Sequence, residues 1–230
     1  MKKTLWIAIA GALVASVIAA SAQEVLSANA VGYIKKTLPA NGKLIALSAP
    51  LNSMTEATIV FGRTSVAAEA PVGSEVFFWD PAIQKWGGGK KDGKGWPGGA
   101  SNKVLVAGEA FFLKGSATDP VDREVTITGE VPEDANLARA IPGVGLLGTV
   151  GNPFPVDFKF GTSSLASNAA VGSEVFFWDP ALQKWGGGKK DGKGWPGGAS
   201  NRVILAAEGF FLKNGGAATI WTNAKPYTWP

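Results

Sequence analysis

The side chains best suited to bind a ligand are concentrated in a Gly- and Lys-rich loop that occurs twice. The first loop contains Lys91, Asp92, Lys94 and Trp96. A tryptophan among charged groups offers a flat apolar ring that can stack on a sugar or anchor a protein partner. The alternative is that the indole folds back over a sheet, and both interpretations remain open. The second loop repeats these residue types as Lys190, Asp191, Lys193 and Trp195.

The same loop fits the pattern G-x-x-x-x-G-K of a phosphate-binding P-loop. The first match runs from Gly88 to Lys94, and the second from Gly187 to Lys193. A P-loop also requires Ser or Thr after the lysine and a helix behind it, whereas Gly95 follows here without a helical pattern. The sequence therefore favours a flexible, solvated loop over a nucleotide site, and no cofactor is expected.

Acidic residues at matched positions of the repeat suggest a glycan-processing enzyme as one alternative. A glycosidase requires two carboxylates roughly 5–9.5 Å apart, and Glu75 and Glu109 could meet across neighbouring strands. These acids lie beside turns and lysines, however, which is typical of solvated side chains. The chain contains no His and no Cys, which removes the Ser-His-Asp and Cys-His pairs and the usual zinc, copper and haem ligands. We therefore expect a protein that is not an enzyme and holds no metal.

These candidate residues lie in an internal repeat whose two copies are offset by 99 residues. Residues 72–102 recur as residues 171–201 with a single conservative change, at position 83. Weaker similarity extends to both sides of this segment. Self-similarity at a fixed spacing indicates duplicated structural units, and we place their boundaries at residues 23–131 (module 1) and 132–230 (module 2).

Short apolar segments separated by Gly, Pro, Asn and Asp predict strands throughout both modules. Residues 74–80, a turn at Asp80-Pro81 and a returning strand at 83–86 form a predicted hairpin. Trp79 and Trp86 would pair across it, a contact worth roughly 0.2–1 kcal/mol. No segment shows an apolar stripe of helical period. The predicted fold is all-β, with two tandem antiparallel sandwich-like or barrel-like modules that are either independent or pseudo-symmetric around a shared interface.

The N-terminal residues predict export. Two lysines precede the uncharged apolar run 5–18, and Ala20 and Ala22 supply the small residues that signal peptidase requires. The run is shorter than the roughly 20 residues that cross a membrane, so we expect cleavage of residues 1–22 and no membrane span afterwards. The remaining chain has 20 basic and 18 acidic residues, a net charge of +2 that gives no reason to expect nucleic acid. We expect the protein in the periplasm, on the cell surface or outside the cell.

Several motifs of module 2 resemble a β-module that recurs in secreted and surface-attached bacterial proteins. Residues 146–155 contain Gly-Asn-Pro-Phe-Pro, residues 176–179 read Phe-Phe-Trp-Asp, and residues 208–213 read Glu-Gly-Phe-Phe-Leu-Lys. Module 1 departs from the first motif, with residues 49–52 in place of 151–154. The resemblance implies an all-β fold and export, and it implies no particular activity.

The sequence thus favours an exported, non-catalytic β-repeat protein of the cell surface or envelope. Its partner would be a polysaccharide or a surface protein held by the Trp/Lys/Gly loops, and two copies of the loop would increase the avidity. One alternative is a structural protein that self-assembles into a layer or matrix through its sheet edges. The other is the glycan-processing enzyme considered above.

Overall fold

The computed structural model describes residues 30–228. The predicted export signal, residues 1–22, therefore lies outside the described residues. Strands account for 43% of the structure and helices for 12%, so the prediction of an all-β fold with two similar tandem modules is confirmed. Between residues 30 and 228, no helix has both the length and the apolar character needed to cross a membrane.

Module 1 contains eight strands and three short helical segments. The strands are β1 Val31–Leu38, β2 Leu44–Ser48, β3 Ile59–Val60, β4 Glu75–Asp80, β5 Lys85–Lys90, β6 Val104–Leu105, β7 Ala110–Lys114 and β8 Arg123–Glu130. The helical segments are a 3-10 turn at Phe61–Arg63, α1 Ser65–Glu69 and α2 Gly98–Ser101.

Module 2 repeats this order of elements. Its strands are β9 Asn136–Ile141, β10 Leu147–Gly151, β11 Phe158–Lys159, β12 Glu174–Asp179, β13 Lys184–Lys189, β14 Val203–Ile204, β15 Gly209–Lys213 and β16 Thr219–Ala224. Its helical segments are a 3-10 turn at Phe160–Thr162, α3 Ser164–Asn168 and α4 Gly197–Ser200.

Each module is built from a four-stranded antiparallel sheet, a two-stranded ribbon and a small strand pair. In module 1 the sheet order is β2-β7-β4-β5, the ribbon is β1-β8 and the small pair is β3-β6. Module 2 uses β10-β15-β12-β13, β9-β16 and β11-β14 in the same roles. The first and last strands of each module pair with each other and thereby close it, and Glu130 at the end of β8 also forms a bridge with Asn52.

The central strand β4 has apolar residues on both of its faces. Val76 and Phe78 are buried in the core of module 1, where Phe61 packs edge-on against Phe78 at a ring distance of 5.2 Å. Because successive side chains of a strand point to opposite faces, Phe77 and Trp79 lie on the other face. A strand with apolar side chains on both faces must be covered on both, and the second module provides part of that cover.

The two modules pack against each other through these outward faces. Phe112 of module 1 stacks on Phe211 of module 2 with the ring centres 5.9 Å apart, and both rings are buried. The backbone amide of Ser48 donates to the carbonyl of Ala207, which lies among the core residues of module 1. Val31 and all that follows form one compact unit. The modules thus share an interface, which was one of the two arrangements left open by the sequence.

The returning strand of the hairpin differs from the predicted one. Residues 81–84 form the turn, and the strand occupies Lys85–Lys90 instead of 83–86. The glycines expected in a flexible loop are therefore partly strand. Gly88 has a φ of +144°, and a Cβ there would approach the carbonyl oxygen of Val76 to 1.9 Å, so this position requires glycine. The predicted pairing of Trp79 with Trp86 is confirmed.

Candidate functional site

The loop tryptophan of each module lies against that module's own core. The Trp96 indole is half-buried and packs edge-on against Phe61 with the ring centres 5.1 Å apart. Its Nε1–H donates to the carbonyl of Ala67 at 2.8 Å. Trp195 repeats both contacts, with Phe160 at 5.0 Å and a 2.8 Å hydrogen bond to the backbone of module 2. The structure therefore has the folded-back arrangement of the indole that the sequence left open.

Lys91 crosses from the loop to the end of α1. Its ammonium group donates to the carbonyls of Ala67, Ala68 and Ala70 at 2.7–2.8 Å. The last carbonyls of a helix have no partner within the helix, and a cation there satisfies them. Burial lowers the pKa of Lys91. Lys190 makes the same three bonds in module 2, at 2.7–2.9 Å, so both lysines hold a loop to a helix.

The remaining loop candidates lie at an exposed turn. The Asp92 carboxylate accepts from the backbone amide of Lys94 at 2.7 Å, and Asp92 and Gly95 exchange two backbone hydrogen bonds. The corresponding bond from Lys193 to Asp191 is 2.8 Å long. The eight predicted residues thus fall into two groups. The loop anchors contact their own module (Lys91, Trp96, Lys190 and Trp195), and the turn tips are exposed (Asp92, Lys94, Asp191 and Lys193). A binding role for these eight loop residues stays a prediction.

The two carboxylates considered for catalysis lie at opposite ends of β7. Glu75 is ion-paired with Lys114 at 2.9 Å, whereas Glu109 immediately precedes β7 and pairs with Lys103 at 2.9 Å. Five residues of extended chain separate Lys114 from Glu109, a span of about 16 Å at the usual strand rise. These two carboxylates are therefore not placed on either side of one glycosidic bond.

The most exposed tryptophans among the described residues stand on the outer face of each hairpin. Trp86 is 45% exposed and Trp185 is 46% exposed. Trp86 lies opposite Trp79, with the ring centres 5.1 Å apart, and 6.5 Å from Phe77. Phe77 faces Gly88 across the strands, so the residue directly opposite has no side chain to cover the phenyl ring. We call Phe77, Trp79 and Trp86 the Trp86 platform.

The second module carries an equivalent surface on β12 and β13. Phe176, Trp178 and Trp185 form this Trp185 platform, with ring distances of 5.0 Å between the two indoles and 6.5 Å from Phe176 to Trp185. Phe176 again faces a glycine, Gly187. Charged residues border both surfaces, since Glu75 and Glu174 stand opposite Lys90 and Lys189 in the strand register. Each platform is therefore an aromatic surface with a charged margin.

The exposed indoles are held in place by the interface between the modules. Trp86 contacts the rings of both Phe112 and Phe211, at 5.7 and 5.6 Å. Trp185 contacts the same two rings, at 5.6 and 5.4 Å. The Nε1–H of Trp79 donates to the carbonyl of Leu147 in the other module at 2.8 Å. The platforms are thus ordered before any ligand arrives, which lowers the entropic cost of binding.

The sequence analysis predicted that Trp79 and Trp86 pair across the hairpin, and it did not identify the platforms as candidate sites. The signal available was the run Trp86-Gly87-Gly88-Gly89. In a strand, three glycines provide no neighbouring side chains to cover the adjacent indole. Glycine enrichment was instead interpreted as loop flexibility.

Within residues 30–228, no group of three or more acidic residues is placed to hold a metal ion. Comparison with protein-family models, with curated proteins and with solved structures gave no match. The resemblance of residues 146–155 and their companion motifs to surface-attached bacterial modules therefore stays an expectation.

Proposed function

We propose that this chain is an exported, non-catalytic β-repeat protein that binds polysaccharide through the Trp86 and Trp185 platforms. The observation that carries the proposal is the exposure of close to half of each indole, next to a glycine on the same strand, on an aromatic surface. Large exposed apolar surfaces on folded domains commonly mark binding sites. A flat indole with charged groups nearby suits a sugar ring, which has an apolar C–H face and hydroxyl groups at its edge.

The two platforms belong to one compact unit, which supports binding to a polymer. A chain held by the Trp86 platform presents its other units to the Trp185 platform at a high effective concentration. Both platforms contact the same pair of phenyl rings, Phe112 and Phe211, so their spacing is fixed by the fold. A repetitive polysaccharide can use two such sites at once, whereas a monosaccharide can occupy only one.

Self-assembly through sheet edges has less support from the geometry. One edge of the module 1 sheet, β2, is bridged to module 2, since Leu47 pairs with Glu208 and Ser48 bonds to Ala207. The other edge, β5, carries an exposed lysine at each end, Lys85 and Lys90. Covered edges and charged edges both oppose strand-to-strand association.

The test is affinity electrophoresis of the purified protein through gels that contain neutral or acidic polysaccharides. We expect retardation in at least one gel, and we expect Trp86→Ala combined with Trp185→Ala to abolish it. The matched control is Lys94→Ala with Lys193→Ala, which alters the exposed turn tips and leaves the platforms unchanged. Retardation that survives the tryptophan changes and disappears with the lysine changes would show that the binding site lies at the loops and not at the platforms.

A further inference from the structure

A cleft of about 360 Å³ opens between the two modules beside the Trp185 platform. Module 2 contributes Trp178, Asp179 and Glu208 to its lining, and module 1 contributes Lys36 from β1. This volume lies within the 300–1,000 Å³ that is usual for small-molecule sites. The cleft therefore has room for a ligand and walls of mixed apolar and charged character.

Lys36 is the cation of this cleft that lacks a contact partner. Glu208 is already satisfied, since Arg202 donates to one oxygen at 2.5 Å and the amide of Leu205 donates to the other at 3.0 Å. Within the described chain, no acidic oxygen comes within 4.0 Å of the Lys36 ammonium. Burial lowers the pKa of Lys36, and the more distant charges of Glu208 and Asp157 oppose that shift. A half-buried ammonium group beside a cavity is thus available to an anion.

The pseudo-equivalent position in the other module has no such free cation. Arg139 stands two residues before the end of β9, as Lys36 stands two before the end of β1. The Arg139 guanidinium donates to the carbonyl of Thr149 at 3.4 Å and to its hydroxyl at 3.3 Å. Ala46 occupies the position of Thr149 in module 1, because the two residues face Phe112 and Phe211 in matching registers. Two side-chain differences therefore leave the cation unpaired at Lys36, whereas its counterpart Arg139 is bound to Thr149.

We propose that the Lys36 cleft binds the carboxylate of an acidic sugar unit, with the Lys36 ammonium as its counter-charge. The Trp178 indole provides the surface against which the sugar ring lies. The Asp179 carboxylate accepts from the amides of Ala181 and Leu182 through one oxygen, and its other oxygen can accept a sugar hydroxyl. The cleft thus offers a group for each part of a uronic acid.

The cleft and the platform form a continuous surface, because Trp178 belongs to both. Its ring centre lies 5.0 Å from that of Trp185, so a chain bound to the Trp185 platform can extend its next unit toward Lys36. This inference rests on the proposed function, and it specifies that the polysaccharide is acidic. On the other side of the interface the counterpart of Lys36 is Arg139, which is already bound to Thr149.

The experiment is calorimetric titration of the purified protein with two probes, a trimer of galacturonic acid and the same trimer as its methyl ester. A charge-assisted hydrogen bond contributes enough to change an affinity about tenfold. We therefore expect the acid to bind about tenfold more tightly than the ester. Lys36→Met should raise the Kd of the acid to that of the ester without changing the Kd of the ester.

Two further variants make the result specific. Lys35→Met is the matched control, because Lys35 is exposed on the same strand and paired with Glu124 at 2.8 Å; it should keep the preference for the acid. The combination of Lys36→Arg and Ala46→Thr reproduces the pairing of Arg139 with Thr149. It should abolish the preference for the acid over the ester while the protein stays folded. Equal binding of acid and ester to the unaltered protein would refute the cleft and leave the platforms standing. Binding of neither probe would refute the cleft, and retardation of the unaltered protein in the polysaccharide gels would then decide the platform proposal separately.

Discussion

The hairpin of each module packs against the sheet of the other module, and the two contacts are made by equivalent atoms. Gln84 donates to the carbonyl of Leu147 at 3.0 Å and accepts from its amide at 2.9 Å. Gln183 does the same to Leu44, at 3.0 and 2.8 Å. The cations beside these contacts differ. Lys36 of module 1 lacks a contact partner, whereas Arg139 of module 2 is bound to Thr149.

The hairpin contacts are alike because they are made to main-chain atoms, and the cations differ in pairing because side chains determine their surroundings. The hairpins lie in the near-identical repeat and bind main-chain atoms, which are present whatever side chain the facing strand carries. The candidate cleft takes Lys36 and Ala46 from β1 and β2. These strands and their counterparts β9 and β10 lie outside the near-identical segment. Divergence of those strands therefore preserved the interface and altered the candidate binding surface.

The largest expected effect comes from breaking the interface at its centre. Phe112→Ala removes a buried ring that stacks on Phe211 and contacts both exposed tryptophans, so it should lower the free energy of unfolding by about 3–5 kcal/mol. Phe211→Ala should have the same cost. Urea unfolding monitored by both fluorescence and circular dichroism should show a single transition. Two separate transitions, with only one of them shifted, would mean that the modules fold independently.

An intermediate effect is expected from the loop anchors, which are alike in the two modules. Lys91→Met removes three hydrogen bonds from an ammonium group to carbonyls at the end of α1, so it should cost about 2 kcal/mol. Lys190→Met should match it within experimental error. Lys90→Met, at an exposed neighbouring position, serves as the control and should cost far less. A cost for Lys91→Met no larger than the control would show that the anchor does not contribute to stability.

The smallest expected effects are changes in stability of opposite sign at Arg139 and Lys36. Arg139→Met leaves the buried Thr149 hydroxyl without its partner and should destabilise the protein by about 1–2 kcal/mol. Lys36→Met removes a half-buried charge that lacks a contact partner and should stabilise it by up to about 1 kcal/mol near neutral pH. Thermal unfolding of both variants measures the difference. Destabilisation by Lys36→Met would indicate that the ammonium group is satisfied within the protein.

The effect of Lys36 also depends on pH. Its pKa in the folded protein is lowered from 10.5, so the unfolded chain binds more protons between the folded-state pKa and 10.5. The stability of the unaltered protein should therefore rise relative to Lys36→Met as the pH increases through that window. A constant difference between the two proteins over this range would contradict the lowered pKa.

Much of the fold could be predicted from the sequence because it depends on local patterns. The short apolar segment in 74–80, bounded by turn residues, predicted β4, and the pairing of Trp79 with Trp86 followed from the hairpin. The end of the returning strand could not be predicted, because Gly87 to Gly89 have no side-chain pattern to mark a strand. Their pairing depends on the carbonyl and amide groups of β4, which lie in a different segment of the chain.

The candidate site was less accessible to sequence reasoning. Trp96 and Trp86 are both followed closely by glycines, and composition alone does not show which indole is covered. Trp96 is covered because Ala67 and Phe61, about 30 residues earlier, lie where its N–H and ring can reach them. Trp86 stays exposed because its strand lies at the margin of the interface between the modules.

The sequence by itself determined the secondary structure class, the duplication and the identical hairpins, because each depends on short segments and on residue types within them. Only the tertiary structure decided which faces of those hairpins meet, which tryptophans remain exposed and which of two equivalent cations is free. These properties depend on contacts between residues as distant in the chain as Ser48 and Ala207, and such contacts arise only when the two modules pack against each other.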